Sequence, residues 1–194
     1  KVMKPLINPV NIDLILSELT SERFFRKTNN GNNEIYIVSD HDSPHLMQEI
    51  GRLRELTFRA SGGGTGEEVD IDAYDLGENG FKQLIVWNPD NQDIVGGYRF
   101  IECKYLEMDS EGNVQTPTAK LFGYSKKFIN DYLPYTIELG RSFVQPEYQP
   151  TKNMRKGMYA LDNLWDGLGS LIHLLPETRD FFGKVTMYPH YDKM

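Results

Sequence analysis

The chain has 194 residues, 39% of them hydrophobic and 25% charged, which is enough for one globular domain with a substantial core and does not call for two. A net charge of −7 argues against the broad basic surface that nucleic acid or anionic lipid requires. A lone cysteine, Cys103, rules out an intramolecular disulfide and a cysteine metal cluster, and fits a reducing compartment.

Taken in chain order, Ile12, Ile15, Leu16 and Leu19 recur at helical spacing, and residues 33–39 (NEIYIVS) alternate as a strand does. Ser43 before Pro44 forms an N-cap and first-turn pair, opening a helix with Leu46, Ile50, Leu53 and Thr57 on one stripe and its end at Ser61. Residues 81–87 (FKQLIVW), the turn NPDNQD and residues 94–103 (IVGGYRFIEC) form a hairpin. Residues 107–118 are polar and turn-rich, an exposed loop. Ser125 caps a short helix to Tyr132, and YTIELGRSFV after Pro134 is a fourth strand. Leu161, Leu164, Trp165, Leu168, Leu171, Ile172 and Leu175 recur at three and four up to Pro176, the clearest helix of the chain, and residues 181–188 (FFGKVTMY) close with a fifth strand. Trp87, Trp165, Phe100, Phe122 and Phe143 are expected in the core. The order points to an α/β (α+β) domain with one mixed, mainly antiparallel central sheet covered by helices on both faces.

The segment GGGTGEEVDIDAYDL, residues 62–76, poses the chemical question. A nucleotide P-loop needs Lys and Ser or Thr after its glycines, where this chain has Glu67 and Glu68. A dinucleotide fingerprint needs its glycines between strand and helix, and these follow a helix. Counted from Asp70, the glycine and glutamate of a calcium loop are replaced by Asp75 and Phe81. The glycines therefore read as a mobile linker. Asp72 and Asp75 lie close together in a strand or turn and need a cationic partner: an arginine, a metal or a substrate. Arg54, Arg99 and Arg141 stand in or beside strong elements, with Glu138 three positions before Arg141. A buried ion-pair network and a substrate site both fit these residues.

Arg54 with Phe58 on a helix, DIDAYD at 70–75, IVGGYRF at 94–100 and ELGR at 138–141 together resemble the acyl-homoserine-lactone synthases. ELGRSFVQPEYQ and LWDGL are similar to a related branch, the acyltransferases of ornithine-lipid and glycine-lipid synthesis, sometimes labelled hemolysins; both groups are similar to the GNAT superfamily. The resemblance spans about residues 51–188. It implies transfer of a fatty acyl group from acyl carrier protein to the amino group of a small amino acid of glycine or ornithine type, in aminolipid synthesis. It also implies that Arg54, Phe58, Asp72, Asp75, Arg99, Glu138 and Arg141 form the site and its charge network. An amine attacks a thioester only as the neutral base, so Glu138 is expected to accept its proton, while Arg99 or Arg141 forks the substrate carboxylate. On a regular strand Glu138 and Arg141 would face opposite sides, so either a bulge at Gly140 brings them together or one of them is purely structural.

The resemblance has departures. Most GNAT enzymes hold the pyrophosphate of coenzyme A on a Gln/Arg-x-x-Gly-x-Gly/Ala turn; here TKNMRKGMYA puts Met154 three before Gly157 and Tyr159 at the last position. That favours a carrier-protein thioester over acyl-coenzyme A as acyl-phosphopantetheine co-substrate, with Lys152, Arg155 and Lys156 meeting the acidic carrier or forming a solvated loop. No tightly bound cofactor is expected. His41, His45, His173 and His190 lack metal spacing, and Cys103 reads as a buried structural thiol. The relatives continue past the last strand, so the chain is expected to be a single acyltransferase domain, 1–194, missing a C-terminal helix and strand. A cytoplasmic setting is expected, with peripheral contact at the inner face of the membrane through a lipid product. A signal synthase with an adenosylmethionine pocket, and a non-catalytic module that binds acyl chains or carrier protein, stay open as alternatives.

Overall fold

The computed structural model describes residues 2–150, 152 and 154–186. Six strands form one sheet in sequence order: β1 (Phe24–Lys27), β2 (Glu34–Val38), β3 (Lys82–Asn88), β4 (Asp93–Glu102), β5 (Thr136–Val144) and β6 (Asp180–Gly183). Neighbours are antiparallel except β5 and β6, which are parallel because the helix between them carries the chain back across the sheet. That parallel ladder joins Thr136–Leu139 to Asp180–Gly183. Residues 140–144 of β5 have β4 on one side and, among the described residues, no strand on the other. The sheet therefore splits halfway along β5.

On one face lie α1 (Ile12–Glu18) and α2 (Pro44–Ala60), packed through Ile15, Leu46, Met47, Ile50 and Leu53 onto Tyr36, Ile85, Trp87, Ile94 and Phe143. After the one-turn α3 (Met154–Gly157), the other face is covered by α4 (Ala160–Leu174), whose Leu164 and Leu171 meet Ile35, Leu84, Val86, Tyr98 and Phe100. The α2 helix starts where Ser43 and Pro44 predict, but the Ser43 hydroxyl donates to Asp42. The first turn is capped from α1 instead: Glu18 accepts from the backbone N–H groups of His45 and Leu46 at 3.1 and 2.7 Å. This locks the two helices of that face together.

Four expectations change. The four-residue β1 is a strand the sequence does not announce, because Phe24–Lys27 is too short to show alternation. The stretch 107–118 is not uniformly exposed: after an open turn, Val114, Thr116 and Thr118 are buried. The last strand ends at Gly183, and residues 187 and 188 of its predicted span lie outside the described residues, as does His190. Of the five aromatic residues expected in the core, Trp87, Phe100 and Phe143 are buried, whereas Phe122 is 54% and Trp165 70% exposed.

The helix α4 explains the Trp165 result. Its apolar positions occupy more of the circumference than one stripe facing the sheet can hold. The small face wins: Ala160, Asn163, Gly167 and Ser170 lie against the sheet, leaving Leu161, Trp165 and Ile172 exposed. Two contacts set this rotation. Gly167 sits so close to Leu84 that a Cβ there would lie 2.7 Å from its Cδ2. Asn163 is held by the buried Asn33 amide at 2.7 Å, and itself donates to the Asn30 carbonyl.

Candidate active site

The acidic segment after α2 folds around the arginines. Arg54 is fully buried; its Nε meets Asp70 at 3.2 Å and its two Nη atoms meet both oxygens of Asp75 at 3.1 and 3.2 Å. Arg99 reaches in from β4, its Nη1 and Nη2 meeting the Asp72 oxygens at 2.8 and 3.1 Å, with Nη1 also 2.9 Å from Asp75. The Gln83 amide donates to Asp75 at 3.0 Å. Burial pushes the Asp75 carboxyl up, but Arg54 and Arg99 outweigh it and hold the group below the usual carboxylate range.

Arg141 joins this cluster through a bulge. Arg99 pairs with Gly140 and Gly97 with Phe143, so Tyr98 faces two residues of β5, Arg141 and Ser142. Arg141 absorbs the extra residue with a left-handed φ of 52°. The change of phase turns its side chain to the face that holds Arg99, where its Nε lies 2.9 Å from Asp70 and its Nη2 3.5 Å from Asp72. Three arginines thus interlock with three aspartates, and the charges balance.

The members differ in what a substrate could touch. Arg54 and Asp75 have no exposed surface, and both Nη atoms of Arg99 are engaged by aspartates. Arg54 and Asp75 are therefore placed to orient the others rather than to contact a ligand. Arg141 and Asp72 keep 29% and 33% of their side chains exposed and line an open cavity of about 300 Å³ with Lys4, Thr65 and Asp70. Phe58 lies one turn beyond Arg54 on α2, half-buried against the core. A larger cavity of about 370 Å³, between the end of β4 and the end of α4, contains none of the charged residues proposed for the site.

Glu138 shares the sheet face of Arg99 and Gly140 and is 98% removed from solvent, with a relative exposure of 2%. Its carboxylate nevertheless forms no ion pair with the arginines among the described residues. It turns to the segment between β4 and β5, where Thr118 donates to Oε1 from its hydroxyl at 2.7 Å and from its backbone N–H at 3.3 Å. Oε2 is buried without a partner among the described residues. Cys103 is buried beside it, and burial, with the Glu138 charge adding, pushes its thiol up to about 12, which makes it a poor nucleophile.

The glycine segment is more ordered than a linker. Glu55 of α2, fully buried, accepts from the Thr65 hydroxyl and N–H at 2.7 and 2.8 Å and from the Gly66 N–H at 2.8 Å. Gly64 lies so near that a Cβ would sit 2.9 Å from Glu55 Oε1. The small residues let the chain wrap around a buried carboxylate and deliver Asp70, Asp72 and Asp75 to the arginines. At the far end of β5, Lys152 and Arg155 are exposed, Lys152 lies 3.9 Å from Glu147, and Lys156 stands over the Tyr148 ring at 5.4 Å. Sequence reasoning passed over Asp70, Gln83, Glu55 and Thr118. Asp70 stood within the DIDAYD segment, whereas nothing local marks the other three.

The segment from α2 to Met158 matches a family described as acetyltransferase (GNAT) domain, over residues 53–158. The chain belongs to this GNAT family. It is 50% identical over 191 residues to the glycine N(alpha)-acyltransferase of Phocaeicola vulgatus, covering 98% of this chain and 59% of that protein. It is 52% identical over 191 residues to the protein of the same name from Bacteroides thetaiotaomicron, covering 98% of this chain and 57% of that one. The chain thus spans less than two thirds of the length of these relatives. No solved structure matches it. Among the described residues, no helix is long and apolar enough to cross a membrane.

Proposed function

We propose that this GNAT domain transfers a fatty acyl group from a phosphopantetheine thioester to the amino group of glycine. The observation that carries the proposal is the likeness to two glycine N(alpha)-acyltransferases along 98% of the chain, in a protein whose split sheet brings a buried carboxylate and a three-arginine cluster to one face. In the step we envisage, the amine nitrogen attacks the thioester carbonyl, the C–N bond forms and the C–S bond breaks. The amine proton passes to Glu138 and the sulfur leaves as a thiolate that takes up a proton. Arg141, the arginine with open surface, receives the glycine carboxylate, and Arg54, Arg99, Asp70 and Asp75 hold it in place.

The free half of β5, residues 140–144, offers an extended edge along which a pantetheine arm could lie. The poor match to a pyrophosphate turn supports acyl carrier protein as donor, with Lys152, Arg155 and Lys156 facing its acidic surface. N-acylglycine formed in this way belongs to aminolipid synthesis, and its acyl chain would bring the enzyme to a membrane surface.

The test is thiol release from acyl carrier protein and from acyl-coenzyme A, each charged with a long acyl chain, in the presence of glycine, ornithine or adenosylmethionine. Release that depends on glycine and yields N-acylglycine is expected, faster with the carrier protein. Turnover with adenosylmethionine alone would mark a signal synthase. Carrier-protein binding without thiol release for any amine would mark a binding module. Either result overturns the proposal.

A further inference from the structure

The segment 103–135 joins two adjacent antiparallel strands, β4 and β5, which a tight turn could have linked. It folds instead into a small lobe of its own around Cys103, Val114 and Leu133. It reaches the charged face of the sheet at Thr118, which is itself buried and spends both its hydroxyl and its N–H on one oxygen of Glu138. A carboxylate this deep needs hydrogen-bond donors, and two on one oxygen restrict its rotation. The other oxygen, Oε2, has none. Close by, the Tyr124 hydroxyl is buried next to Thr116, without a well-aligned hydrogen bond, and within the field of Glu138. Oε2 is thus the carboxylate oxygen left for an incoming hydrogen-bond donor.

We propose that Thr118 is the positioning residue for Glu138: by saturating Oε1 it presents Oε2 to the nitrogen of the acceptor amine, so that the lobe 103–135 sets the geometry of proton removal. This rests on the acyl-transfer reading above. Glu138 is surrounded by Cys103 from the end of β4, Tyr124 and Thr118 from the lobe, its register partners Ile101 on β4 and Phe182 on β6, and Arg99, two positions from Ile101 on the same sheet face. Its carboxylate forms no ion pair with Arg99 among the described residues, so the two Thr118 donors are the contacts that orient it.

The experiment compares Thr118→Val, Thr118→Ala and Thr118→Ser in the full chain, with kcat and the KM values for glycine and for the acyl donor measured. Thr118→Val and Thr118→Ala, which lose the shorter of the two hydrogen bonds to Oε1, should lower kcat roughly tenfold with KM for the acyl donor unchanged. Thr118→Ser should restore the rate. An unchanged kcat in the first two, or a serine variant as impaired as the alanine one, overturns the positioning role. Glu138→Gln separates the two levels. If it turns over at the parental rate while folded, the proton-acceptor assignment beneath this inference fails; if it is inactive while the Thr118 variants behave as the parent, only the positioning role fails.

Discussion

Arg54 and Asp75 meet through two parallel contacts, at 3.1 and 3.2 Å, with neither side chain exposed to water. Such a pair adds little over an apolar replacement of both partners, but removing one partner strands the other. Arg54→Leu leaves Asp70 and Asp75 buried with one cation fewer each and is expected to cost about 3–5 kcal/mol, seen as a fall in Tm of at least roughly 6 °C. Arg54→Lys keeps the charge and loses the fork, and should fall between parent and leucine variant. A leucine variant that melts with the parent would mean that the network is not held by Arg54.

Acid should loosen the same region. Burial raises Asp75 and Glu55, yet Arg54 and Arg99 for the first, and Arg59, Thr65 and Gly66 for the second, hold both carboxyls below their usual range. Their folded values thus lie below their unfolded ones. The stability they contribute is complete above the unfolded values, near pH 4 to 4.5, and is lost as pH falls through the folded values. Urea midpoints measured from pH 7 to pH 3 should be flat at first and then fall below about pH 4.5. Glu55→Gln, which removes one of the two titrating groups, should make that fall shallower.

The contact between α4 and the sheet gives a paired prediction. The Tyr98 hydroxyl is buried without a partner among the described residues, and Gly167 is packed over it: a Cβ there would lie 2.9 Å from the oxygen and 2.7 Å from Leu84 Cδ2. Gly167→Ala should cost about 1–3 kcal/mol by overpacking, despite the better helix propensity of alanine. Tyr98→Phe removes an unsatisfied group and should be neutral or stabilising by up to about 1 kcal/mol. In the double variant part of the alanine penalty should be relieved, measurable as a non-additive shift in urea midpoint.

Much of the fold could be read locally, because α2, the β3–β4 hairpin and β5 each carry a periodicity and a stop signal of their own. The strand β1 could not, since its four residues become a strand only by pairing with β2. Nor could the rotation of α4, which Gly167 and Asn163 decide through contacts with Leu84 and Asn33, residues distant in sequence. Of the site, the arginines and the Asp72–Asp75 pair stood out because like charges crowded in an apolar context demand partners. Thr118 was hidden, as a threonine in a polar stretch looks like any loop residue until Glu138 is placed beside it.

The left-handed kink at Arg141 has a further consequence for how this strand can vary. Side chains before it and after it alternate out of step, so Glu138 and Phe143, an odd number of positions apart, both point toward the α2 side. Losing one residue between them would make the strand regular with both side chains still on the α2 side, and would remove the kink that turns the arginine toward its aspartates. The extra residue therefore serves the placement of the arginine, and the stretch is constrained in length as well as in composition.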